Sequence, residues 1–201
     1  MENCIGNALL TSVTSVNITT GTLVPGAQAQ YRPTTNTIIF RPDGIGNSLG
    51  EELFHAYQQQ LYGTLIGIGN PNTGHLGGSN IEFEEKAYTQ LSIWVENFRK
   101  MDNHDDSASG GLFVADAAPI FEELTLLNDW IVDFILNNPS GNISLTQNEL
   151  SSWFTALEAF RAHHFAVNGC GITDVYGCPI DPTFKPDALI NLYEKSIENC
   201  N

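Results

Sequence analysis

The sequence predicts an α+β protein, mostly helical, built as a single domain over residues 1–201. Three observations carry that reading. A run of strand formers, Thr37-Ile38-Ile39-Phe40, ends in the turn signal Pro42-Asp43-Gly44. Long stretches with helical apolar spacing follow it. No internal repeat and no linker divides the chain, and its length suits one sizeable core. Strand first and helices afterwards is the order of an α+β fold.

The first 30 residues are rich in Thr, Ser, Val and Gly, with turn signals at Gly21 and Pro25-Gly26. They read as a short helix or extended arm, then strand or loop. After the strand, Asn47 or Ser48 can cap a helix that stops at Gly63. A Gly-rich loop leads to a second cap, Ser79 or Asn80, and to the helix "IEFEEKAYTQLSIWVENFRK". The polar stretch "MDNHDDSASGG" separates it from a third helix, about 118–137, which "NPSGN" breaks. A fourth runs from Thr146 to about Val167. An irregular segment follows, and a last helix spans roughly Asp187 to Asn199. The aromatic-rich stretches of the third and fourth helices lack basic residues and read as core rather than membrane surface.

The formal net charge is −15, with 8 Lys plus Arg. That field repels a phosphate backbone, so nucleic acid is excluded as a partner. No apolar run is long enough to span a membrane, and no apolar leader is visible at the N-terminus. The turn "GIGNSLG" lacks a following Lys-Ser/Thr, and Glu51-Glu52 would repel a nucleotide phosphate. The four cysteines, Cys4, Cys170, Cys178 and Cys200, contain no Cys-x-x-Cys pair. An even count suits disulfides in an exported chain, whether periplasmic, cell-surface or secreted; free thiols in a cytoplasmic chain are the alternative. Cys170 and Cys178 enclose a short segment with two glycines and are expected to pair.

The candidate chemistry lies in "GEELFHAYQQQLYG". Helical geometry puts Glu51, His55, Gln58 and Tyr62 on one stripe, with Glu52 beside it. Glu51 and His55 stand one turn apart, as two metal ligands do. On the second helix Glu84 falls among Ile81, Ala87, Tyr88, Leu91, Trp94, Val95 and Phe98, so it needs a partner unless the helix end is exposed. Glu82 and Glu85 point elsewhere. Of His163 and His164, one can face the same cleft.

The strand "NTIIFRP", the helix with Glu-Leu-Phe-His-Ala-Tyr-Gln and the second helix with Glu-x-x-Ala resemble a zincin metallopeptidase of the gluzincin kind. The resemblance covers about residues 28–100; residues 101–201 form a helical C-terminal part. It implies a zincin-like fold in which the strand edges the substrate cleft, so Ile39, Phe40 and Gln58 become candidate binding residues. It implies Glu52 as general base, and His55 and Glu84 as metal ligands, with Glu82 or Glu85 as fallback. Glu51 stands where the family has its first His ligand.

A carboxylate can ligate zinc, so a Glu51/His55/Glu84 site is chemically available. Two anionic ligands acidify bound water less than two imidazoles do. The expectation is therefore a degenerate metallopeptidase-like protein, inactive or weakly active, with zinc bound weakly or not at all, holding peptide or protein along the edge strand. The alternatives are an active zinc hydrolase with those three ligands and a non-catalytic interaction or scaffold domain.

Overall fold

The computed structural model describes residues 4–23, 27–42, 48–63, 77–102, 125–139, 143–170 and 175–200. Among them are six helices and one three-stranded mixed sheet: α1 Cys4–Ser12, β1 Asn17–Thr20, β2 Ala29–Arg32, β3 Thr37–Phe40, α2 Ser48–Tyr62, α3 Gly78–Asp102, α4 Thr125–Asn137, α5 Gln147–Asn168 and α6 Asp187–Cys200. The expected start of the third helix, near Ala118, lies outside the described residues, as does the turn up to Asn47.

The N-terminal segment resolves to the helix α1, which buries Cys4, Ile5, Ala8 and Leu9 and packs mainly on α6. The sheet order is β1-β3-β2. β3 pairs parallel with β1, Thr37 opposite Asn17, and antiparallel with β2, Thr37 opposite Arg32. The strand expected to edge a cleft is therefore the central one. Ile39 and Phe40 are buried, and the backbone of β3 is paired on both sides. Asn36 explains how the hairpin closes. It adopts φ 47°, a left-handed conformation that asparagine tolerates. Its side chain donates to the Ser15 carbonyl at 2.6 Å and accepts from the Tyr31 hydroxyl at 2.9 Å, while its carbonyl accepts from Asn17 N–H.

α2 stops where glycine permits. Gly63 has φ 65° and donates its N–H to the Gln59 carbonyl at 2.9 Å. α5 starts at a capping box: Thr146 accepts from Glu149 N–H, and Glu149 accepts from Thr146 N–H. Between the helices lies an aromatic core. Phe83 of α3 packs on Trp153 and Phe160 of α5, with ring centroids 4.7 and 5.3 Å apart, and Trp130 of α4 packs on Trp153 at 4.8 Å. No described helix is long and apolar enough to cross a membrane.

Cys170 and Cys178 are bonded, as their spacing predicts. Cys4 is disulfide-bonded as well, and no described cysteine is free. The segment 175–181 is tied down on the first turn of α3. The Ser79 hydroxyl lies 2.5–3.2 Å from the carbonyls of Val175, Tyr176 and Cys178, and the Asn80 amide exchanges two hydrogen bonds with the Asp181 backbone. Gly177 is required at its position: a Cβ there would meet the Gly169 carbonyl at 2.3 Å and the Phe165 backbone at 2.7 Å. Both obstacles are main chain and cannot swing aside. Gly177→Ala is expected to cost about 1–3 kcal/mol, the usual range for overpacking. A thermal melt equal to wild type would show that the segment moves freely over α5.

Candidate functional site

α2 and α3 lie against each other and bring two sets of polar side chains into one interface. The inner set centres on Gln58, which is fully buried. Its amide nitrogen donates to the Ile81 carbonyl at 3.1 Å and to Glu84 Oε2 at 2.8 Å. Its oxygen must then accept, and it faces His55 Nδ1 at 2.8 Å. That assigns the Nδ1 proton and turns His55 Nε2 outward. Nε2 faces Glu82 Oε2 at 3.8 Å, with the two side chains 17% and 18% exposed. Burial pushes the His55 pKa down, but Glu82, Glu85 and Glu52 outweigh it and leave the imidazole more basic than usual.

Glu84 is fully buried and turned away from His55. Its Oε1 accepts from the Tyr62 hydroxyl at 2.7 Å and from the backbone N–H groups of Ala188 and Leu189 at 3.0 and 3.1 Å. Those two amides open α6, so Glu84 caps that helix from another element. Burial pushes its carboxyl up to about 7 against the pull of these donors. Both oxygens are in use.

Glu52 is half-buried and accepts the backbone N–H of Tyr31 on β2. The Arg41-to-Gln28 backbone bond fixes the alternation of the ladder, so the Tyr31 N–H points away from β3. α2 therefore covers this edge of β2. Burial raises the Glu52 pKa, and His55 and the Tyr31 N–H lower it in part. Glu51 sits at the rim, 41% exposed, with Oε1 3.7 Å from Lys86 Nζ. Lys86 pairs more closely with Glu85 Oε2, at 2.7 Å. Glu85 is buried and also accepts from Thr89.

Two further groups close the outer side. Tyr176 hydrogen-bonds Glu82, and the charge of that carboxylate, then burial, drives the phenol pKa far up. His164 packs on Tyr176 and Phe160, with ring centroids 5.0 and 4.5 Å away, while His163 is exposed.

The zinc-ligand set that the family resemblance implies does not assemble. Among the described residues no group of three or more His, Cys, Asp and Glu side chains is arranged to hold a metal ion. Glu51 faces Lys86, and Glu84 caps α6. The residue that α3 presents to His55 is the fallback, Glu82. Sequence reasoning missed Lys86 and Tyr176. Lys86 carried no signal beyond standing next to Glu85, and Tyr176 lies in a segment without periodicity.

Comparison with protein-family models, curated protein sequences and solved structures found no match to this chain.

Proposed function

We propose that the chain is a zincin-like protein derived from a metallopeptidase plan, with feeble hydrolytic activity or none, that acts by binding. The supporting observation is the state of Glu84. A carboxylate that accepts four hydrogen bonds in a buried helix cap is unavailable as a ligand, and the position of the first imidazole is held by Glu51 in an ion pair with Lys86. Breaking that cap to ligate zinc leaves the buried Leu189 N–H unpaired and the Ala188 N–H with the Tyr62 hydroxyl alone. A peptide laid along a sheet edge has β1 to use, since all four of its residues are exposed and β2 is covered at Tyr31.

One observation favours a working metallohydrolase instead. Gln58 orients His55 as metal-bound imidazoles are oriented, with the far ring nitrogen directed at a carboxylate. In that reading Glu82 takes the role that the resemblance gives to Glu84, and Glu52 remains the general base. Zinc calorimetry on the wild-type protein separates the two. Our reading expects no stoichiometric binding at micromolar zinc; tight one-to-one binding, with peptidase activity that a chelator removes, would establish the hydrolase.

A further inference from the structure

Lys86 is the unexpected member of the α2–α3 interface. It reaches Glu85 on its own helix and Glu51 on α2, and it is 23% exposed. Glu82, one turn before it, adds to the same field. Glu85 is 1% exposed, so without a counter-charge its ionised form would be buried unpaired. A zincin-like plan places a divalent ion in this interface, and its ligands must be anionic or neutral.

We infer that the Lys86 ammonium is the resident cation of this interface: a tethered amine that takes the electrostatic place of a metal ion and ties α2 to α3. This rests on the non-hydrolytic reading above. Two consequences are geometric. The amine occupies space between Glu51 and Glu85, and its positive charge repels an entering divalent ion. Removing the charge should leave Glu51, Glu82 and Glu85 with His55 and no internal cation, a donor set of oxygens and one imidazole that suits manganese or zinc.

The test is calorimetric titration of manganese and of zinc into wild type, Lys86→Met, Lys86→Gln and Lys86→Arg, with melting curves recorded with and without metal. Lys86→Gln is included because its amide can still donate to Glu85 and hold the fold. Both neutral variants are expected to bind a divalent ion at least about tenfold more tightly than wild type, and to melt higher when it is added, because a ligand of the folded state stabilises it. Lys86→Arg keeps the charge and is expected to behave as wild type. Weak wild-type binding with no gain in either neutral variant would overturn this inference alone. Tight zinc in wild type, unchanged by the substitutions, would overturn it together with the non-hydrolytic reading. Neutral variants that stay unfolded even with metal would make Lys86 a structural pin, and the inference would fall.

Discussion

Replacing Glu84 by alanine is expected to destabilise the protein by about 3–5 kcal/mol, the cost typical of breaking a buried hydrogen-bonded charge network. Each partner explains part of the loss. In the first turn of α6 the Leu189 N–H loses its acceptor and the Ala188 N–H keeps only the Tyr62 hydroxyl, at 2.8 Å, and no intrahelical carbonyl can take either. The Gln58 amide loses one of its two acceptors and with it the constraint that orients His55. Tyr62 keeps the Lys185 carbonyl, at 3.3 Å, as acceptor and the Ala188 N–H, at 2.8 Å, as donor. The effect should spread to α1, which packs on α6. Hydrogen exchange should therefore show α6 and α1 opening together, and an Ala variant that melts like wild type would mean that water replaces the carboxylate.

The same residue makes stability depend on pH. Its folded pKa, about 7, lies above the ordinary 4.5. Between these values the folded state holds a proton that the unfolded state has lost, so this group's contribution is present below pH 4.5 and is lost as pH rises to 7. The proton can be housed: Tyr62 turns its hydroxyl hydrogen to the Lys185 carbonyl and accepts from Glu84. Glu84→Gln cannot titrate and should lose less stability across that window than wild type. Parallel stability–pH curves for the two proteins would refute the assignment.

Local signals in the sequence match local structure. Gly63 ends α2 because only a residue free to take positive φ closes that turn, and the Thr146/Glu149 pair starts α5 by satisfying both end donors. The Cys170–Cys178 bridge follows from short spacing. What could not be read is what depends on distant partners. Asn17–Thr20 has no alternation because all four residues are exposed, so its parallel pairing with β3 left no trace in the pattern. That hidden neighbour is why an apparent edge strand proves central. Glu84 is a carboxylate on an apolar face that needs a partner, and it has one. The partner is backbone N–H more than a hundred residues away, which residue types cannot announce. Tyr176 reaches Glu82 only because a clasp of Ser79, Asn80 and the disulfide holds an irregular segment in place.

Glu51→His is expected to raise zinc affinity by about a hundredfold or more, with Glu82 rather than Glu84 as the third ligand. Residues 51 and 55 share a helix face one turn apart, the spacing of paired imidazole ligands. The second ligand is already oriented, since Gln58 holds the proton on His55 Nδ1 and leaves Nε2 to ligate. The third is near its place. Zinc with bonds of about 2.0–2.1 Å in tetrahedral geometry keeps its donor atoms about 3.3–3.4 Å apart. His55 Nε2 and Glu82 Oε2 stand 3.8 Å apart, so a small shift of an 18% exposed side chain brings them to an ion. The substitution also exchanges an anion for a neutral ligand, which leaves zinc-bound water more acidic. It removes the weaker of the two Lys86 pairs, at 3.7 Å, and keeps the closer one to Glu85 at 2.7 Å. Calorimetry on Glu51→His, alone and combined with Glu82→Gln or Glu84→Gln, decides the ligand. Loss of affinity with Glu82→Gln and retention with Glu84→Gln is the expected pattern. The reverse would mean that zinc pulls Glu84 out of the α6 cap, and α6 should then lose hydrogen-exchange protection when zinc binds.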